Sequence, residues 1–250
     1  MNKLTSLFLA VLAFCVFFCQ NVCAQVALGD SSSQQNALNN AVNLFKTSLG
    51  NQQAIYTGPE YYFYDPHIKG NAYFKEVNGF TKGSIYYDGS LYNNISMLYD
   101  LNIDQVVILL PSHVSKFSVI KERVKSFDFL GNHFVNINAD SVSNNTILKS
   151  GYYNQLYNGK CEVLGKYSKS IQTTTSSISG LENYFSLSKD YYIKKDNIYR
   201  SVGGQGALLD ILKDKKKELK KYIKTNNIVY RDNPEEAMVK IAAYYDQLSN

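Results

Sequence analysis

The chain has 250 residues, with 26 Lys and Arg against 21 Asp and Glu, 4 cysteines, 21 tyrosines, 13 phenylalanines and no tryptophan. A formal charge of +5 is too mild to indicate a nucleic-acid partner, and so few cysteines exclude a disulfide-built fold. The length suits one sizeable domain with a core of its own.

The N-terminus carries one cation, Lys3, then an uncharged apolar run from Leu7 to Phe18, then Val22-Cys23-Ala24 ahead of Gln25. That order is the pattern of a secretory signal peptide over residues 1–24, cleaved after Ala24. The apolar run is shorter than the about 20 residues of a membrane span, so no transmembrane segment is expected in the mature chain. Cys15, Cys19 and Cys23 would leave with the leader, and the residues before them, Phe14, Phe18 and Val22, are not the small ones of a lipid-attachment site. Without Lys3 the balance is 25 basic against 21 acidic residues, or +4, and Cys161 is the single remaining thiol. The mature chain is therefore expected to be exported, periplasmic or associated with the outer membrane, and stabilised by packing alone.

Residues 25–36, rich in Gln, Ser and Asn, are expected to be a flexible leader to a single globular domain over 37–250. Leu38, Ala41 or Val42, Phe45 and Leu49 recur at helical spacing, so 37–50 predicts a short amphipathic helix ending at Gly50. From 56 to 202 the pattern changes to runs of Tyr, Val, Ile and Phe broken by Asp-Gly, Asn-Gly and Lys-Gly. This predicts an antiparallel meander, a curved sheet or open barrel.

Asp88-Gly89 and Asn158-Gly159 both suit two-residue turns with positive φ. The first turn sets Tyr87 opposite Ser90, Tyr86 opposite Leu91 and Ile85 opposite Tyr92. Ile85, Tyr87 and Tyr92 then share one face while Tyr86 and Leu91 share the other. In the strand that follows, Ile95, Met97, Tyr99 and Leu101 form one apolar row, the best candidate to line a concave ligand face. The run QVVILL, residues 105–110, is apolar on both faces and ends at Pro111, as a strand covered on both sides would. Further strands are expected at 116–124, 126–131, 133–138, 151–157, 160–168, 190–194 and 197–202. The Ser- and Thr-rich stretch 169–188 is expected to be a mobile loop. The second turn would place Cys161 opposite Leu156, on a face with Tyr152 and Val163, an apolar address for an inert thiol.

Residues 207–248 predict a helical pair. The first helix, to 225, sets Leu208, Ile211 or Leu212, Leu219 and Tyr222 or Ile223 on one stripe with lysines opposite; the second opens with Asn233 as cap and Pro234 behind it. Lys213, Lys216, Lys217, Lys220 and Lys224 are the candidates for contact with an anionic surface, within a stretch, 189–224, holding eleven basic and five acidic residues. The chain has no G-x-S-x-G elbow, His67, His113 and His133 lack an obvious acidic partner, and no metal-ligand spacing or phosphate loop is complete. Gly203-Gly204-Gln205-Gly206 reads as a strand-to-helix turn and Asp65-Pro66-His67 as a simple turn. No catalytic, cofactor or metal residue is assigned.

GPEYYFYDPHIKGNAYF (58–74), the YYDG hairpin with LYDL and DQVVIL, SKFSVIKERVKSFDFLGNHFVNINAD (115–140), GYYNQLYNG (151–159) and NPEEAMVKIAAYYDQL follow one another in the chain. In this order the sequence resembles a group of exported proteins typical of Bacteroidota, over nearly the whole mature chain. The resemblance implies an envelope address and a shared fold, and it carries over no catalytic residue. Together these readings give an α+β, predominantly β protein expected to be a non-enzymatic interaction or accessory module, with carriage of a lipid or other hydrophobic ligand as the alternative. Its partners would be an envelope protein, a lipid or an anionic surface, not nucleic acid.

Overall fold

The structure, a computed structural model, describes residues 31–49, 54–142, 147–176 and 180–249. The chain divides into two compact units, residues 1–50 and 51–250. The expected signal peptide, its cleavage site and Gly50 lie outside the described residues. Among the described residues of the first unit, the helix α1 (Ser31–Leu49) begins inside the stretch expected to be flexible. Gln, Ala and Leu are good helix formers, and no Gly or Pro interrupts them there.

The second unit is built on ten antiparallel strands: β1 (Thr81–Tyr87), β2 (Ser90–Asp100), β3 (Gln105–Leu109), β4 (Lys116–Ser118), β5 (Val124–Phe129), β6 (Asn132–Ile137), β7 (Gly151–Asn158), β8 (Glu162–Ser176), β9 (Gly180–Lys195) and β10 (Ile198–Ser201). They form one open sheet in the order β10-β9-β8-β7-β6-β5-β1-β2-β3-β4. The sheet curves around its core, because Ile85, Met97, Ile108, Phe127, Phe134, Tyr152 and Tyr167, drawn from seven strands, share one buried cluster. Past its pairing with β7, the Lys169 N–H on β8 donates to the Leu101 carbonyl at the end of β2 at 3.0 Å.

The Asp88-Gly89 hairpin has the expected register, with Tyr87 opposite Ser90 and Ile85 opposite Tyr92, and both turn residues at positive φ. One bulge then reconciles the two halves of β2. Gly83 pairs with Ile95 and Ile85 with Tyr92, so β2 holds one residue more than β1 between these pairs, with Asn94 at φ 61. The extra residue resets the alternation, which is why Tyr92 and Ile95 both face the core.

The second turn differs from expectation. Tyr157 pairs with Val163 and Asn158 with Glu162, which leaves a three-residue connection, 159–161. The cause lies far along the chain. The carboxylate of Asp246 accepts from the backbone N–H of Lys160 (2.6 Å) and Cys161 (3.2 Å) and from the Tyr157 hydroxyl (3.0 Å). A Cβ on Gly159 would stand 2.2 Å from that carboxylate, so glycine is there for close approach. Cys161 accordingly packs with Val163 and the helices, in a different cluster from Tyr152.

Two further expectations are corrected. The run 116–124 is not one strand: β4 has three residues, and a 3-10 turn at Lys121–Arg123 precedes β5. Of the stretch expected to be a mobile loop, 169–188, residues 169–176 and 180–188 form the outer halves of β8 and β9, paired from Lys169 opposite Leu187 to Ser176 opposite Gly180, and 177–179 lie outside the described residues. Threonine is a strong strand former, and Ile171, Thr173 and Thr175 place their branched side chains on one face.

The expected pair of C-terminal helices is three: α2 (Gln205–Ile211), α3 (Lys216–Thr225) and α4 (Pro234–Leu248). Nothing in the sequence between α2 and α3 breaks a helix; tertiary contacts do. Leu212 and Leu219 are both fully buried, while Asp214 between them is drawn to Lys195 on β9 and accepts from the Tyr245 hydroxyl on α4. The start of α4 is as expected, with Asn233 accepting from the Glu236 N–H and Pro234 in the first turn. The helices bury Leu208, Leu212, Leu219, Ile223, Met238 and Ile241 against Val163 and Ile193 of β8 and β9.

Candidate functional site

The expected ligand-facing row, Ile95, Met97, Tyr99 and Leu101, lies in the core and is occupied by the chain's own rings. Tyr99 meets Phe127 at 5.2 Å, Phe134 at 5.1 Å and Tyr152 at 5.8 Å edge-on, and Phe127 stacks on Phe134 at 4.7 Å. Such pairs add about 0.5–1.5 kcal/mol each beyond their burial. Of the two hairpin faces, that of Tyr86 and Leu91 is the less covered, with Lys125 above the Tyr86 ring.

Charges, most of them partly buried, gather where β2 turns into β3. Asp104 is held by Lys121 (2.5 Å) and Lys166 (2.8 Å) and accepts from the Tyr99 hydroxyl (2.6 Å). Burial pushes its carboxyl up, but the two ammonium groups and the hydroxyl outweigh it and hold the pKa below the usual 3.8. Burial lowers Lys166, and Asp104 offsets this only in part. Gly151 makes room for the pair, since a Cβ there would lie 2.3 Å from Asp104 and 2.7 Å from the Lys166 ammonium. Asp100, fully buried, accepts from the hydroxyls of Tyr61 (2.8 Å) and Tyr64 (2.9 Å) and from the Asn102 N–H (2.8 Å). Burial raises the pKa of both tyrosines, so the phenols stay protonated as donors.

A cavity of ≈ 190 Å³ opens beside these groups, lined by Phe74, Glu76, Leu101, Tyr167, Lys169 and Glu235 among others. Lys75 and Glu76 at its rim both have left-handed backbone, at φ 54 and 53. Its polar groups are engaged with one another. The Lys169 ammonium, whose side chain is 2% exposed, donates to the carbonyls of Asn71 and Tyr73 and to Glu76, and Glu235 accepts from Lys189 and Tyr191.

Sequence reasoning missed one cluster. His133 lies opposite Asp128 across β5 and β6, with Nδ1 2.7 Å from the carboxylate, and the Ser84 hydroxyl donates to the other oxygen at 2.9 Å. These are the residue types of a hydrolytic triad in the wrong order. The serine is bonded to the carboxylate, so no imidazole nitrogen stands ready to take its proton, and both His133 and Asp128 are open to solvent. The missed signal was Leu130-Gly131, a two-residue turn at φ 52 and 75 that sets Asp128 opposite His133. Among the described residues His67 bonds Asp65 alone, in an exposed turn. Burial, and then the neighbouring Asp246, push the Cys161 thiol up to about 12, far from a nucleophile's range. Helix α2, after Gly203 and Gly204, is seven residues long.

The lysine candidates separate. Lys216 is engaged by Asp210, whose carboxyl pKa is lowered by Lys216 and, less, by exposed Lys220, whereas Lys213, Lys217 and Lys224 are exposed and form no ion pair among the described residues. Lys221, also exposed and unpaired among them, joins this group. Lys217, Lys220, Lys221 and Lys224 recur at helical spacing on the side of α3 away from buried Leu219 and Ile223.

No known protein family matches this chain, and no curated protein or solved structure does either.

Proposed function

We propose that the protein is a non-catalytic interaction module of the cell envelope that rests on an anionic surface, that of phosphate-bearing lipid headgroups, through the lysine face of α3. The observation that supports this reading is the exposed set Lys213, Lys217, Lys220, Lys221 and Lys224, none in a close ion pair among the described residues, with Glu218 the one carboxylate of α3. Nearby acids are engaged elsewhere: Asp210 by Lys216 and Asp214 by Lys195. No helix among the described residues is long and apolar enough to cross a membrane. Each lysine near an anionic bilayer contributes about 1 kcal/mol, so one face gives millimolar attachment that salt weakens. The carrier reading has less support, because the row it needs is filled by Phe127, Phe134 and Tyr152.

Sedimentation with vesicles of phosphatidylglycerol and phosphatidylcholine is the test. The expected result is binding that disappears on pure phosphatidylcholine, at high salt, and in the variant Lys217→Glu, Lys220→Glu, Lys221→Glu. Equal binding to neutral vesicles, or an unchanged triple variant, would contradict it.

A further inference from the structure

We propose that the outer edge of β8 pairs antiparallel with the same edge of a second copy of this chain, joining two β8–β9 ribbons into one four-stranded sheet. This stands apart from the lysine face and does not depend on it.

The edge is defined by backbone direction. The Lys169 N–H points away from β9, to the Leu101 carbonyl. Backbone direction alternates with period two, so the N–H and C=O groups of Ile171, Thr173 and Thr175 point the same way. The far strand agrees: Asn183 and Phe185, opposite Thr173 and Ile171, bond Lys69 on the side of β9 away from β8. Beyond Lys169, no described residue pairs with β8 on its outer side.

Unpaired edges are normally protected by shortness, charge, proline or a covering segment. The two ends of the sheet follow that rule. Strand β4 has three residues including Lys116, and residues 59–61 cover it: Tyr61 N–H donates to the Lys116 carbonyl and Ser118 N–H to that of Pro59. Strand β10 has four residues, with Arg200 among them. The outer half of β8, SIQTTTS, carries no charge, no proline and no bulge.

A second copy satisfies this edge with the groups already on it. A two-fold axis at Thr173 sets that residue against itself and Ile171 against Thr175 of the second copy, with about six main-chain hydrogen bonds. Because the strand is uncharged, the identical copies meet without repulsion. Ile171, 40% exposed, and Leu181, 77% exposed, lie on one side of the ribbon, so both copies contribute to one apolar strip on the joined sheet.

Sedimentation velocity over a concentration series tests the proposal on the whole chain, using Thr173→Pro and, separately, Thr173→Lys. The proline removes an N–H that β9 does not use, and the lysine places like charges across the axis. The expected result is a monomer–dimer equilibrium in the unsubstituted chain. Dimerisation should weaken about thirtyfold in the proline variant, from two lost hydrogen bonds, and weaken in the lysine variant also. Thermal unfolding of both should match the unsubstituted chain at dilutions where all three are monomeric, which separates lost pairing from lost folding. An unsubstituted chain that stays monomeric, including one that accepts a foreign strand peptide at this edge, overturns the proposal, as does a dimer that both substitutions leave intact.

Discussion

Strand β4 and the outer half of β8 belong to the same sheet and meet solvent in opposite ways. The first is short, carries Lys116 and lies under residues 59–61; the second is longer, uncharged and open over alternate backbone groups. The contrast extends inward. Behind β4, Val106, Val107 and Ile108 are fully buried and the ions nearby are paired, whereas the ribbon at Ile171 and Leu181 leaves apolar surface in water. Exposure is therefore local, and where the fold protects one edge and leaves another bare, the bare one is the place to look for a partner. Rigidity in the body and availability in the ribbon should respond separately to substitution.

The largest separation is expected from Asp104→Ala. It leaves the partly buried Lys166 ammonium with only the Tyr152 carbonyl and takes the acceptor from Tyr99, at a cost of about 3 kcal/mol by urea unfolding. Amide protection at Gln172 and Thr174, whose N–H groups face β9, should not change in the monomer, and an equal loss there would show that body and ribbon are one cooperative unit.

Alkaline pH should act next, and on the body. Burial raises Cys161 from 9.0 and Tyr153 from 10.0, each to about 12. The unfolded chain therefore loses these protons first, so stability is full below about pH 9 and falls as pH rises towards 12. At the acid end Asp104, held below 3.8, contributes stability that is lost as pH falls through its folded value. Urea midpoints across pH should show a plateau with both shoulders; a midpoint still level at pH 11 would contradict the alkaline half.

The smallest effect is expected from Tyr152→Phe. The Tyr152 hydroxyl is buried with no hydrogen-bond partner among the described residues, so removing it should leave stability unchanged or raise it by up to about 1 kcal/mol. A loss above about 1 kcal/mol would mean that the hydroxyl has a partner after all.

What the sequence made legible was local. Asp88-Gly89 set its own register, Asn233-Pro234 opened α4, and QVVIL is buried on both faces as its composition required. Where distant groups decide, local pattern failed. Asp246 reshapes the 159–161 turn from 86 residues beyond Lys160, and Lys195 and Tyr245 split a helix whose stripe was continuous. The ribbon was misread for another reason: Ser and Thr mark loops by composition, yet Thr173 to Thr175 favour extended backbone once β9 lies alongside. The lysine face was legible as composition, but only the structure separates Lys216, held by Asp210, from its exposed neighbours.

The pairing of the bare edge is tested most directly by residue-resolved hydrogen exchange as a function of protein concentration. Gln172 and Thr174, which face β9, should be protected at every concentration, while Ile171, Thr173 and Thr175 exchange freely in dilute solution and become protected as concentration rises. Exchange at these three that stays fast at all concentrations would contradict the account.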